Sequence, residues 1–210
     1  MPLSPETCPP LDYPHVEMES LRSHERDGFE SDKICQAIHT ATHIDAPYHF
    51  YPDGITIEKV PLDKLVGPAR VADLRGKVAG GEFISIAHLD ASGVDAQAGL
   101  SGMRLLLFTG WAEEHWDQDN LYTDAPHLEE AAAEYIRDLG VTALGVDFPV
   151  DPVPSQFPVH LIILGAGIPL IENIVHMDSL VGRDFTLVAA PVKLVGGDGA
   201  PARVVALLDE

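Results

Sequence analysis

The stretch HTATHIDAPYHF (39–50) holds four residues of types that bind metals or move protons: His39, His43, Asp45 and His49, all of one parity along the chain. A helix fails as their scaffold. His39 and His43 would share a face, but Asp45 would rotate away from them, and Thr40, Thr42, Ile44 and Pro47 disfavour helix. In an extended chain all four leave one side, while Ile44, Tyr48 and Phe50 leave the other. At about 3.3 Å per residue His39 and His43 would still stand roughly 13 Å apart, so the chain must curl at small Ala41 and bend again at Pro47 for both to reach one ion. A lone histidine is more often a satisfied core or surface residue; three with an interleaved carboxylate favour a metal. Two imidazoles and a carboxylate suit zinc or manganese, and extend to iron, with positions left for water. Water held there is acidified towards hydroxide, which implies hydrolysis or a related addition to a carbonyl.

A second stretch, PVHLIILGAGIPLIEN (158–173), sets His160 and Glu172 among apolar neighbours, where an imidazole or carboxylate needs a partner. For either residue alone, a core hydrogen bond, a cap or a salt bridge is the commoner explanation.

These residues need elements to position them. ARVADL (69–74), RLLLFTG (104–110), ALGVDF (143–148), FTLVAAPVKLV (185–195) and ARVVALL (202–208) are apolar, β-leaning and bounded by Gly, Pro or Asp, which predicts strands. The last two flank GGDGAP and predict a hairpin. HLEEAAAEYIRDLG (127–140) predicts a helix, with Ala132, Tyr135, Ile136 and Leu139 at helical spacing and Gly140 to close it. Strand, helix and strand across 104–148 predict a βαβ element, and the late hairpin argues against a purely parallel sheet. The fold class is α/β with a mixed sheet.

The chain has 210 residues with no internal repeat or low-complexity linker, consistent with one domain. Thirteen Lys and Arg against thirty-three Asp and Glu give a net charge of −20, which would repel nucleic acid. No apolar run is long enough to span a membrane and the N-terminus lacks a signal-peptide pattern, so the expected location is cytoplasmic. Cys8 and Cys35 have neither metal nor redox spacing.

The arrangement His39-x3-His43-x-Asp45-x3-His49, followed by His160 and Glu172, resembles the cyclase family, which includes bacterial kynurenine formamidase and isatin hydrolase. LLLFTGW, GVDFPVDP, IPLIEN and PVKLVGGDGAPARVVA support the resemblance, which runs from about residue 30 to the C-terminus. It implies a mixed α/β fold of the swivelling β/β/α kind, assembled as a homodimer or larger oligomer, with residues 1–30 as an arm. It further implies that His39, His43 and Asp45 bind a first ion, His160 and Glu172 a second, with Asp45 and Glu172 able to bridge, and that His49 is the catalytic acid or base. One or two divalent ions, Zn or Mn, would be held per subunit. Three features depart from the family: Ala41 stands where Gly is common, GVDFPVDP is one residue short with Phe148 and Val150 expected at the pocket rim, and the N-terminal Trp is absent, leaving Tyr13 as a candidate for substrate contact. The implied activity is hydrolysis of an amide C–N bond in a small carbonyl substrate, as in kynurenine formamidase. Alternatives are hydrolysis of a cyclic amide or lactone, cyclisation, and a non-catalytic metal-binding scaffold.

Overall fold

The computed structural model describes residues 1–10, 12–95 and 98–208. In chain order its strands are β1 (Glu17–Arg22), β2 (Ser31–Cys35), β3 (His43–Asp45), β4 (Val66–Asp73), β5 (Phe83–Ile84), β6 (Arg104–Phe108), β7 (His127–Leu128), β8 (Ala143–Val146), β9 (Leu170–Glu172), β10 (Phe185–Pro191) and β11 (Gly199–Leu208). The helices are α1 (His24–Asp27), α2 (Leu62–Leu65), α3 (Ile86–Ala91), α4 (Trp111–His115), α5 (Glu130–Asp138) and α6 (Pro158–Gly165).

Seven strands close into a barrel in the order β10-β11-β3-β9-β8-β6-β4. The contacts β4–β6, β6–β8 and β8–β9 are parallel, and the remaining four are antiparallel. The sheet is therefore mixed, with the βαβ crossover from β6 to β8 and the hairpin β10–β11 that the sequence predicts. β6 and β8 are buried along their whole length, as strands covered on both faces must be.

Strand alternation divides the apolar residues into two cores. Leu106, Phe108, Ala143, Ile171, Leu187 and Ala189 fill the barrel interior. Leu105, Leu107, Leu144, Val146 and Leu170 point outwards and pack under Leu89 of α3, Ala132 and Ile136 of α5, and Val159 and Ile163 of α6. Phe148 and Val150 are fully buried in this outer core, so the expectation that they form the pocket rim is corrected.

The helix predicted over 127–140 is shorter. His127 and Leu128 instead form β7, paired with β5, and the Leu128 amide donates to the Val150 carbonyl, so tertiary pairing overrides local propensity there. At the other end Gly140, at φ 75°, accepts the left-handed conformation that ends the helix.

Candidate metal centre

The centre lies on the outer face of β11, β3 and β9. Register sets Asp45 opposite Gly199 and His43 opposite Glu172, while Ile44 between them turns inwards against Ala200 and Ile171. The curl required between His39 and His43 occurs at Ala41, which has φ 62°. Placing a Cβ in the left-handed region costs about 1–2 kcal/mol. Two hydrogen bonds to the Ala41 carbonyl offset it, from His43 Nδ1 at 2.8 Å and Asn173 Nδ2 at 3.1 Å. The first also fixes the His43 tautomer, leaving Nε2 to face the centre. The curl returns His39 to a ring-centroid distance of 5.0 Å from His43, with Nδ1 2.8 Å from Asp45 Oδ1.

His160 enters from α6. The Asp151 carboxylate accepts the Val159 and His160 amides, at 3.1 and 3.0 Å, and the His160 Nδ1–H at 2.7 Å. One side chain thus caps the helix and turns His160 Nε2 towards Asp45 Oδ2, 3.7 Å away, and Glu172 Oε1, 3.8 Å away. Phe157 before α6 and Asn173 after β9 also have positive φ, 53° and 57°, so each stretch that presents a member of the cluster carries a left-handed residue beside it. His49 closes a 3₁₀ turn, Pro47–His49, and stacks on His39 at 3.9 Å. That turn ends the strand alternation, so Phe50, expected on the opposite side, lies beside His49 and stacks on His160 at 4.9 Å.

His43 Nε2, Asp45 Oδ2 and Glu172 Oε1 are shut off from solvent and have no hydrogen-bond partner among the described residues. Buried polar atoms left unpaired carry a desolvation penalty that a bound cation would remove. His39, His43 and Asp45 form one group of ligand atoms within 4.8 Å of one another, and Asp45, His160 and Glu172 form another. Electrostatics point the same way. Burial disfavours charge on His39 and His43, yet Asp45 and Asp198 outweigh it at His39, and Asp45 and Glu172 outweigh it at His43, raising their pKa values to about 9 and about 10. Asp45, although buried, is held well below the usual carboxylate range by the same two rings. The pocket thus attracts positive charge, and its nitrogen and oxygen donors fit a borderline-hard divalent ion. His49 differs: burial, only partly opposed by Asp45, lowers its pKa and favours the neutral imidazole.

His49 opens onto a cavity of about 400 Å³ lined by Tyr48, His49, Phe50, Pro52, Gly196 and Asp198. A second cavity of about 400 Å³, beside the start of α6, is lined by Phe83, Leu128 and Pro158 among others and includes Asp151 but none of the grouped ligand atoms.

All six predicted residues of the centre converge: His39, His43, Asp45, His49, His160 and Glu172. Tyr13 is half exposed, and no hydrogen bond or ring contact joins it to them among the described residues. The other histidines considered in the sequence have separate partners: His88 with Ser85, His115 with Trp111, His127 with the Pro149 carbonyl and His176 with Glu113. Sequence reasoning missed Asp151 and Asp198. Asp151 stands seven residues before α6, outside the usual capping position, and Asp198 sits in a Gly-rich stretch that reads as turn chemistry.

The Cyclase family model, described as "Putative cyclase", matches residues 1–151. The kynurenine formamidase of Bacillus cereus is 33% identical over 199 residues, covering 93% of this chain and 88% of that protein. Among solved structures, a "predicted metal-dependent hydrolase from Bacillus stearothermophilus" superposes with a TM-score of 0.77 at 27% identity, covering 98% of this chain and 94% of the other. Isatin hydrolase A from Ralstonia solanacearum has a TM-score of 0.84 at 22% identity, covering 100% and 90%, and shares the fold.

Proposed function

The chain belongs to the cyclase family and is a metal-dependent hydrolase; from that premise we propose that it cleaves the amide C–N bond of a small aryl formamide of the N-formylkynurenine type. The observation that carries this reading is the convergence of His43 Nε2, Asp45 Oδ2 and Glu172 Oε1, buried and without a hydrogen-bond partner among the described residues, beside a histidine that faces a cavity. His39, His43, Asp45, His160 and Glu172 would hold one or two divalent ions, with Asp45 common to both groups of donors. Zinc or manganese suits these nitrogen and oxygen donors.

A divalent ion held there supplies a Lewis acid and acidifies water. The chain supplies the rest. His49, neutral and stacked on His39, takes the proton of the attacking water and gives it to the leaving nitrogen, so that formamide plus water yields amine, formate and one released proton. Phe50 and Tyr48 give the cavity aromatic walls suited to an aryl group. Asp151 holds His160 in one orientation throughout.

We further read residues 1–210 as one catalytic domain with an N-terminal arm. The hairpin β1–β2 leaves Met18, Leu21 and Ile34 exposed, and an isolated two-stranded hairpin is marginal in water, which supports a homodimer or larger assembly that covers it. No helix among the described residues is long and apolar enough to cross a membrane, and two unpaired cysteines suit a reducing, cytoplasmic compartment.

Turnover of formanilides, isatin and simple lactones by protein purified without chelator tests the reading. Formanilides are expected to be the best substrates, and preference for a lactone or for isatin would replace it. In the same assay Tyr13→Ala raises KM for an aryl substrate more than for an aliphatic one if Tyr13 contacts substrate; equal effects assign it to packing.

A further inference from the structure

One oxygen of Asp198 touches two functional rings. Its Oδ2 lies 2.9 Å from His39 Nε2 and 3.3 Å from His49 Nδ1. We propose that Asp198 is a positioning residue, which fixes the tautomers and planes of His39 and His49 so that one ring presents Nδ1 to the ion and the other presents Nε2 to the substrate. The inference rests on the proposed roles of those two histidines.

The backbone delivers this carboxylate. β11 pairs with β3 through Gly199 and Asp45, and the Ala46 amide donates to the Asp198 carbonyl at 2.9 Å. A Cβ at position 199 would stand 2.7 Å from the Ile44 carbonyl oxygen and 3.2 Å from His39 Cε1, so only glycine lets β11 approach this closely. The preceding side chain is thereby brought against the two rings. Because the main chain sets its place, removing the carboxylate leaves the strand pairing intact.

An ionised carboxylate only accepts hydrogen bonds, so His39 Nε2, hydrogen-bonded to it at 2.9 Å, presents an N–H, and the 3.3 Å ion-pair contact of His49 Nδ1 with the same oxygen favours a proton on that nitrogen too. His39 then keeps its proton on Nε2, which leaves Nδ1 as the nitrogen that would turn its lone pair to a bound ion; without an ion Nδ1 also faces the Asp45 carboxylate, at 2.8 Å. His49 is protonated on Nδ1 and keeps Nε2 free to accept the proton. The two rings stack at 3.9 Å with an interplanar angle of 22°, so orienting one steadies the other. The Asp198 side chain is 35% exposed, where an ion pair adds little to stability. Its effect is on orientation, as a carboxylate orients the base of a catalytic triad or the outer nitrogen of a ligand histidine.

The test compares Asp198→Ala, Asp198→Asn, His49→Ala and the double variant His49→Ala/Asp198→Ala, each assayed on formanilide and each analysed for bound metal. Asp198→Ala is expected to lower kcat about 10- to 100-fold, the range for an outer carboxylate behind a histidine, with KM changed less than about threefold and metal still bound. Asp198→Asn, which keeps one acceptor oxygen, recovers part of that loss. If Asp198 acts through His49, the double variant is no slower than His49→Ala alone. Full kcat in Asp198→Ala, or additive losses in the double variant, would overturn the inference while leaving His49 as the proton carrier. Full activity in His49→Ala removes the reading on which it rests.

Discussion

The patch where β11, β3 and β9 meet has two faces built by the same few residues, and they answer to different physics. Inwards, Ile44, Ile171 and Ala200 are fully buried among apolar neighbours in the barrel. Outwards, His43, Asp45 and Glu172 converge with buried polar atoms that lack hydrogen-bond partners among the described residues. Alternation along the strand sorts His-Ile-Asp into a core anchor between two proposed ligands, and a one-residue slip would put the charges in the core. The interior therefore holds the backbone still, and the outer face uses that stillness to keep its nitrogen and oxygen donors aligned. The outer face contributes little to stability by itself, because burying charges costs about as much as their attraction returns.

Substitutions on the two faces should separate these roles. The largest functional loss is expected from His49→Ala, which leaves the cage intact: kcat falls roughly 10²- to 10⁴-fold with metal content unchanged, as steady-state kinetics and elemental analysis of one preparation would show. Loss of metal would make His49 a ligand. Next comes Asp151→Asn, which weakens the hydrogen bonds that orient His160; metal affinity or activity should fall about 10- to 100-fold, read by titration with a competing chelator. An unchanged affinity would show that helix packing alone orients His160. Smallest in its effect on turnover is Ile44→Ala on the inner face. Urea unfolding should show a loss of about 2–5 kcal/mol while bound metal and kcat per folded molecule stay near wild type. If this variant loses metal without losing stability, the two faces are not independent.

Much of this division is legible in the sequence, since parity along 39–49 isolates the ligands from Ile44 and the distance argument demands a curl that Ala41 supplies. The strands 69–74, 104–110 and 143–148 and the late hairpin are equally readable from apolar runs between turn residues. Parity misleads at Phe50 because Pro47 starts a 3₁₀ turn, which ends the period of two. Phe148 and Val150 follow β8 into the outer core, a burial set by tertiary packing that their own short stretch does not show. Asp198 is invisible for a related reason, since it meets His39 across 159 residues, whereas Asp151, nine residues from His160, escapes because it stands outside the usual capping position.

The central claim is that the outer face of this patch is a metal cage, and elemental analysis of protein purified without chelator tests it most directly. The wild-type chain is expected to carry one or two equivalents of a divalent transition metal, and His43→Ala and Asp45→Asn to retain none after the same purification, because each removes a primary donor. A wild-type chain that binds no divalent ion when titrated, or either variant at full stoichiometry, would contradict the account.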